Sequence, residues 1–305
     1  MVMNRRAFLK LASVGAAATG VGALGARTAL AARPAVVGAA ETALLIDTTR
    51  CQGCRACEAA CAEANGLQEP ALAGQPGAFD RPRRTEPGTL TVVNRRAMGG
   101  KDIFVKQQCM HCVEPACVAA CLAKALVKTP SGAVIYNEKV CIGCRYCMVS
   151  CPFEIPRFEY DKAVPAIRKC QFCFSRQARG QPIACASVCP TGALAVGTRQ
   201  QLLEEARGRI YRSPGRYVHH VYGEHEAGGT NVLYLSNVPF ETLGFRTDLG
   251  ERSYARLAST ALAAVPFVLV IGAPLLLGLH AVTRQRAAEE LPAADGQAGT
   301  EDHDG

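Results

Sequence analysis

The chain has 305 residues, 49% of them hydrophobic, a length that suggests one to three domains. Four of the cations behind its formal charge of +8 lie in the first 31 residues, so the remaining charge is modest and gives no electrostatic case for nucleic-acid binding. Its 29 glycines, 16 cysteines and lack of tryptophan indicate a loop-rich fold that is ordered by cofactors.

Residues 1–31 match a twin-arginine export signal. The stretch Asn4–Lys10 contains the paired arginines, Leu11–Gly25 is mildly apolar, and Ala29–Ala31 offers an A-x-A cleavage site. A buried or membrane-spanning N-terminal helix is the alternative, which the interrupting glycines disfavour. Because this route carries folded proteins, we expect cofactors to be inserted before export and the chain to work at the periplasmic face of the inner membrane.

Residues 43–66 hold the first of four cysteine runs, Cys51-x2-Cys54-x2-Cys57-x3-Cys61. The pattern predicts a strand over Ala43–Asp47 before the run and a helix over Cys57–Ala64 at its end.

Residues 67–100 contain no cysteine and are rich in Pro, Gly and Arg, which predicts an excursion with one possible strand over Thr89–Val93. Its basic stretch Arg81–Arg84 would contact an acidic partner or, as is commoner, lie in a solvated loop.

Residues 101–160 hold the second and third runs, with predicted strands at Ile103–Val105 and Ala133–Tyr136 leading into them. His111 lies inside the second run and is either a ligand or a supporting residue. The four cysteines of that run favour the supporting role. The runs themselves are Cys109-x2-Cys112-x4-Cys117-x3-Cys121 and Cys141-x2-Cys144-x2-Cys147-x3-Cys151, the latter followed by Pro152.

Residues 165–200 hold the fourth run, Cys170-x2-Cys173-x11-Cys185-x3-Cys189, followed by Pro190. The chain should return as a strand over Pro190–Gly197, and Thr198 with Gln201 forms the pattern of a capping box for a helix through Arg209. Cations near the run either stabilise a reduced, negative cofactor or are surface charge: Arg168, Lys169, Arg176 and Arg179.

The run C-x2-C-x2-C-x3-C-P is typical of two-cluster ferredoxins, where the first three thiolates hold one iron–sulfur cube and the fourth belongs to a second cube. Four runs use all 16 cysteines, so none remains for a disulfide or a nucleophile. Disulfides and zinc are the alternatives, but zinc takes pairs of cysteines and does not require the triple run. We therefore predict an α+β fold of two nested two-cluster, bacterial-type 2[4Fe–4S] ferredoxin-like modules, with residues 101–160 inserted between 43–66 and 165–200.

Residues 201–255 are polar and predict an irregular docking extension with a strand at Val232–Leu235. A loose group of histidines favours a wet docking surface over a metal or quinone contact: His219, His220 and His225.

Residues 257–282 form an uncharged stretch of a length that spans a bilayer, which predicts a transmembrane anchor, since a buried soluble helix rarely runs so long without charge. Export through the signal would place His280 near the cytoplasmic interface. The acidic, Ala- and Gly-rich residues 283–305 predict a disordered tail.

Three stretches carry a family resemblance: Gln108–Pro115, Cys144–Val149 and Tyr222–Thr230. With the four runs, signal and anchor, they resemble the four-cluster electron-transfer subunits of the dimethyl sulfoxide reductase and formate dehydrogenase type. Within that superfamily they are most similar to the ferredoxin-like subunits of membrane-bound [NiFe] hydrogenases of the hydrogenase-2 type. The resemblance covers essentially the whole chain.

The resemblance implies four [4Fe–4S] clusters and no catalytic residue. It implies these ligand sets: cluster one, Cys51, Cys54, Cys57 and Cys189; cluster two, Cys170, Cys173, Cys185 and Cys61; cluster three, Cys109, Cys112, Cys117 and Cys151; cluster four, Cys141, Cys144, Cys147 and Cys121.

By the same resemblance, the chain carries electrons between exported [NiFe] hydrogenase small and large subunits and an integral membrane, quinone-interacting subunit. The alternative keeps the electron path but changes the source to a molybdopterin enzyme such as formate dehydrogenase. A zinc-stapled docking protein and a self-contained iron–sulfur enzyme are less favoured, because the latter would need an incomplete cysteine run and all four are complete.

Overall fold

The structure is a computed structural model that describes residues 41–71, 74–256 and 265–290. It divides into two units, residues 1–254 and 255–305. The predicted signal and the end of the predicted tail lie outside the described residues.

The described part of the first unit contains nine strands: β1 (Thr42–Asp47), β2 (Val92–Met98), β3 (Lys101–Gln107), β4 (Leu126–Lys128), β5 (Val134–Tyr136), β6 (Arg157–Phe158), β7 (Ile167–Arg168), β8 (Leu194–Thr198) and β9 (Val232–Leu235). Its α-helices are short apart from the first and last: α1 (Ala56–Asn65), α2 (Ala116–Ala119), α3 (Tyr146–Ser150), α4 (Phe174–Gln177), α5 (Ala184–Ser187) and α6 (Arg199–Arg212). Three 3₁₀ turns lie at Glu138–Val140, Glu226–Gly228 and Phe240–Leu243.

The central sheet has the order β8-β1-β9, with β1 antiparallel to β8 and parallel to β9. Because side chains alternate along a strand, β1 sends Ala43 and Leu45 to one face and Leu44 and Ile46 to the other, and all four are buried. The first face packs under α6, and the second packs against the cysteine-bearing loops. The sheet therefore separates a purely structural layer from the layer that holds the thiols.

The pairing of β1 with β8 joins the two ends of the cysteine-rich region. β1 leads into the first run and β8 follows the fourth, so their five paired positions, from Thr42 with Thr198 to Ile46 with Leu194, bring these runs to one place. Between them, β4 and β5 form a hairpin separating the second and third runs, and β6 and β7 form another before the fourth.

The cysteine-free excursion is more ordered than its composition indicates. A strand was expected at Thr89–Val93, but β2 begins at Val92 and continues to Met98, paired along its length with β3. Gly99 and Gly100 connect the two strands with positive φ angles of 55° and 74°, which is the conformation that a two-residue hairpin turn requires.

The expectation of a solvated or partner-contacting Arg81–Arg84 is wrong at Arg83, which folds inward onto Glu58 of α1 at 2.6 Å. Arg55 binds the same carboxylate through two bonds of 3.0 Å, and the Val93 amide donates to it at 2.6 Å. This buried network ties the excursion to the first cysteine run. Removing the carboxylate would leave two guanidinium groups without their partner.

Residues 201–255 are less irregular than their polar composition suggests. Thr198 and Gln201 form the predicted capping box at the start of α6, with Leu202 and Ala206 buried beneath the helix. β9 is completely buried beside β1. Asn231 shows how a polar sequence here still enters the core, because its Nδ2 donates to Glu41 Oε2 at 2.7 Å and to the Gly132 carbonyl at 3.2 Å.

The second unit contains one apolar helix, α7 (Ala273–Glu290), preceded by a π-helical turn at Val268–Gly272. Pro274 cannot donate a backbone hydrogen bond to the carbonyl four residues earlier, which is the kind of mismatch that a π turn relieves. Residues Val265–Arg284 are long and apolar enough to cross a membrane by length and composition. The first eight residues of the tail predicted to be disordered, 283–290, continue this helix.

Candidate iron–sulfur sites

The same backbone turn recurs in all four cysteine runs. The residue before the second cysteine has a positive φ in each run: Gly53 (73°), His111 (47°), Gly143 (69°) and Phe172 (59°). This turn points the backbone amide of that residue back at the first sulfur: Phe172 N lies 3.3 Å from Cys170 Sγ and Gly143 N lies 3.5 Å from Cys141 Sγ. The first sulfur of these runs therefore has a backbone amide donor directed at it.

The fold brings the sixteen thiols into four neighbouring sets, each with three members from one run and one from another. Within each set, neighbouring cysteines lie close enough that the thiolate charge of one acts on the pKa of another. The second and fourth sets each line a cavity of their own. The sets are: set one, Cys51, Cys54, Cys57 and Cys189; set two, Cys61, Cys170, Cys173 and Cys185; set three, Cys109, Cys112, Cys117 and Cys151; set four, Cys121, Cys141, Cys144 and Cys147.

The four sets follow one another in a row. Cys57 of set one interacts with Cys185 of set two. Cys170 of set two interacts with Cys109 of set three. Cys117 of set three interacts with Cys147 of set four, which is the last set of the row.

Burial dominates the chemistry of the thiols. It raises the pKa of Cys57, Cys61 and Cys117 to about 12 and that of Cys147 and Cys151 to about 11. These thiols would therefore hold their protons at neutral pH without a cation, and metal binding must release them. The donor set, four sulfurs within an apolar wall, fits a soft iron–sulfur cluster.

Cys189 is the exception among these thiols. Burial acts to raise its pKa, but hydrogen bonds from the Thr191 hydroxyl and from the backbone amides of Leu194, Ala193 and Thr191 outweigh it, and the pKa is lowered. The turn after the fourth run is thus arranged to stabilise a charged sulfur.

His111 lies in the interior and packs rather than competing with the cysteines. Its Nδ1 accepts a hydrogen bond from the Val134 amide at 2.9 Å, and its ring stacks on Phe172 with centroids 4.5 Å apart. Burial holds its pKa well below the usual value. These contacts match the supporting role expected from the sequence.

The cations near the fourth run separate into two kinds. Arg168 pairs with Glu159 at 2.8 Å, whereas Lys169 is buried with its Nζ 3.9 Å from Cys109 Sγ. Sequence reasoning missed a second buried lysine, Lys106, which the thiols of sets one and two surround. The sequence offered one signal for Lys106: it lies on the same face of a strand as Phe104 and three residues before a cysteine run.

The histidines of the predicted docking extension line a shallow cleft beside Tyr211. His220 Nε2 lies 2.6 Å from Glu226 Oε1, and His225 Nε2 lies 3.4 Å from Glu224 Oε1. Within the described ranges, no three His, Cys, Asp or Glu side chains converge closely enough for a single metal ion, which is the arrangement that structural zinc would need.

Comparison with known proteins agrees with this chemistry. A family model described as a 4Fe–4S dicluster domain matches residues 101–199. A protein of Nitratidesulfovibrio vulgaris is 47% identical over 262 residues, covering 84% of this chain and 71% of its own length. The hydrogenase-2 operon protein HybA of Escherichia coli O157:H7 is 36% identical over 276 residues, covering 79% and 83%. The iron–sulfur subunit of the nitrate-inducible formate dehydrogenase of E. coli K12 is 37% identical over 203 residues, covering 64% and 68%.

Proposed function

The chain belongs to the family of HybA and the formate dehydrogenase iron–sulfur subunits, and from this premise we propose how it transfers electrons. It is an iron–sulfur electron-transfer subunit of an oxidoreductase complex and not a catalytic subunit. We propose that each of the four thiol sets holds one [4Fe–4S] cluster, giving four clusters in two nested ferredoxin-like modules. Sets one and two would form the outer module, and sets three and four the inserted one.

The observation that carries this proposal is the row of sets. Each set contains four thiols, and each pair of successive sets is bridged by neighbouring thiols such as Cys170 and Cys109. Two-cluster ferredoxins interleave their runs in this way, because the fourth thiol of each run reaches the other cluster. Such a row gives electrons one path from end to end.

Metal analysis of the anaerobically purified full-length chain tests the four clusters. We expect about sixteen irons and as many acid-labile sulfides per chain, with interacting signals in the electron paramagnetic resonance spectrum after reduction. Zinc without sulfide would reject the electron path altogether. About twelve irons would reject one cluster, and set four would be the first suspect because Cys121 is followed by Leu122 and not by proline.

We propose that the catalytic partner is a [NiFe] hydrogenase, with its small and large subunits, and that the other partner is a membrane subunit that reacts with quinone. The HybA match favours this source because it extends over 79% of the chain, whereas the formate dehydrogenase match extends over 64%. Reduction of the clusters in membranes by hydrogen and not by formate is the expected result. Reduction by formate alone would favour the alternative.

The end of the row at set four is suited to a protein contact. Cys144 is exposed, and three apolar side chains near the set are largely exposed: Leu122 (77%), Ile142 (67%) and Val149 (80%). Exposed apolar groups gathered beside a redox centre favour docking of a partner. We propose that this rim is one of the two surfaces through which electrons enter or leave.

We further propose twin-arginine export and a single-pass C-terminal anchor at the periplasmic face of the inner membrane. The proposal rests on residues 1–31 and on the apolar helix over Val265–Arg284. Replacing Arg5 and Arg6 with lysine should retain the loaded chain in the cytoplasm, as measured by cell fractionation. Unchanged export would contradict the signal.

A further inference from the structure

Two lysines lie in the interior without a carboxylate. Lys106 is 1% exposed and Lys169 is 4% exposed. Among the residues that the structure describes, no Asp or Glu forms an ion pair with either ammonium group, whereas the less enclosed Lys128 lies 3.1 Å from Glu41. Burying an unpaired ammonium group is unfavourable, so a negative group in the surroundings of each lysine would stabilise its charged form.

The ammonium group of Lys106 lies beside set two. It donates to Gln108 Oε1, and Gln108 lines the same cavity as the thiols of that set, Cys61, Cys170, Cys173 and Cys185. Four thiols lie near enough to act on the lysine electrostatically, three from set two and one from set one: Cys185, Cys170 and Cys61, with Cys57. The charge therefore lies mainly beside set two.

Lys169 occupies the corresponding position between sets two and three. Its Nζ lies 3.9 Å from Cys109 Sγ and donates to the carbonyls of Cys170, at 2.9 Å, and Val134. Cys117 and Cys151, both of set three, also lie near this charge. The two lysines thus lie beside the two middle sets.

Gln108 adds a directed donor at the same place. Lys106 Nζ donates to Gln108 Oε1, and because an ammonium group can only donate, this bond fixes which end of the amide faces the lysine. The opposite end, Nε2, is buried and has no hydrogen-bond partner in the described part of the chain. Gln108 lines the cavity formed by four thiols of set two, Cys61, Cys170, Cys173 and Cys185.

Given the proposed function, we propose that Lys106 and Lys169 are built-in counter-cations of the second and third clusters and, with Gln108, raise their reduction potentials. A reduced cluster carries one more negative charge than an oxidised one, so a fixed cation or N–H donor beside it stabilises the reduced form. The effect is strong in an interior that screens charge poorly. At set four the nearest basic residue, Arg145, is exposed and lies over the rings of Phe158 and Tyr160.

A redox titration of the full-length chain, followed by electron paramagnetic resonance, tests the inference. Lys106→Met and Lys169→Met should each shift at least one reduction step to lower potential. The expected size is about tenfold in the reduced-to-oxidised ratio, or about 59 mV for a one-electron step. Lys106→Arg keeps the charge and should restore the wild-type step. Lys101→Met removes an exposed lysine from the same strand and should shift nothing.

Iron content separates this inference from the function on which it rests. Fewer than about four irons per thiol set in the wild-type chain would reject the proposed clusters. A Lys106→Met chain that is fully loaded with iron but has the same reduction potentials as Lys101→Met would reject the role of the lysine. If Lys106→Met loses iron, the near-isosteric variant Gln108→Glu provides the decisive measurement. Glutamate at this position removes the N–H donor and pairs with Lys106, which neutralises its charge. Reduction potentials lower than those of the wild type would support the inference, and unchanged potentials would overturn it.

Discussion

The two middle thiol sets and the two end sets differ in their surroundings. Three of the four cysteines in set two and two of the four in set three are buried, whereas set one has none buried and set four includes the exposed Cys144. A buried lysine lies beside each of the middle sets, and set four has an apolar rim. An electron path needs both environments, because its interior must exclude water while its ends must approach other proteins.

The largest effect should come from removing a thiol in the middle of the row. Cys185→Ser should abolish cluster two and lower the yield of folded chain, because the surrounding core depends on that cofactor. Cys144→Ser, at the exposed end, should lose at most the iron of one set. Iron content and the thermal unfolding midpoint measure the contrast, and equal losses in the two variants would contradict it.

The buried Glu58 network should give the next largest effect. Glu58→Gln leaves Arg55 and Arg83 without their carboxylate, and breaking such a pair costs about 3–5 kcal/mol of unfolding free energy. Asp248→Asn breaks the exposed pair with Arg246 and should leave the free energy of unfolding almost unchanged. Denaturant unfolding measures both, and similar costs would show that the interior network does not stabilise the fold.

Two equivalent glycines allow a closer comparison of the interior with the edge. Gly53 and Gly143 occupy the same position in the first and third runs, with positive φ angles of 73° and 69°. A Cβ at Gly53 would lie 2.4 Å from the Phe104 ring, whereas at Gly143 the nearest atom, on Phe158, is 3.9 Å away.

Gly143→Ala should therefore cost about 1–2 kcal/mol from backbone conformation alone, and Gly53→Ala should cost more. The difference in unfolding midpoint between the two variants is the measurement. A smaller loss for Gly53→Ala would mean that the Phe104 ring moves aside freely.

The smallest effect on stability should occur at the rim of set four. Ile142→Asp changes an exposed side chain, so the unfolding free energy should change by no more than about 0.5 kcal/mol. Recovery of partner subunits with the tagged chain should nevertheless fall. Val196→Asp, at an exposed position on β8, serves as the control, and equal recovery from both variants would exclude the rim as a docking surface.

Local patterns predicted local structure well. The strand before the first run, the capping box at Thr198 and Gln201 and the strand at Val232–Leu235 all occur in the structure. The hairpin arm at Arg95–Met98 was missed because it begins with two arginines and its order comes from pairing with β3. The inward orientation of the Arg83 side chain was missed because its partner, Glu58, lies 25 residues away in the sequence.

The amino-acid sequence by itself determined the chemistry of this protein. Cysteine spacing is a local property that selects a cluster, and a length of apolar residues is a local property that predicts a membrane-spanning helix. Tertiary structure alone decided where charge enters the interior. The sequence left Lys169 open between a cofactor-stabilising cation and surface charge and did not single out Lys106, and only the packing of β3 and of the fourth run near the thiols encloses them. The energy of a buried charge depends on what surrounds it in space, and the chain brings those surroundings together from distant positions.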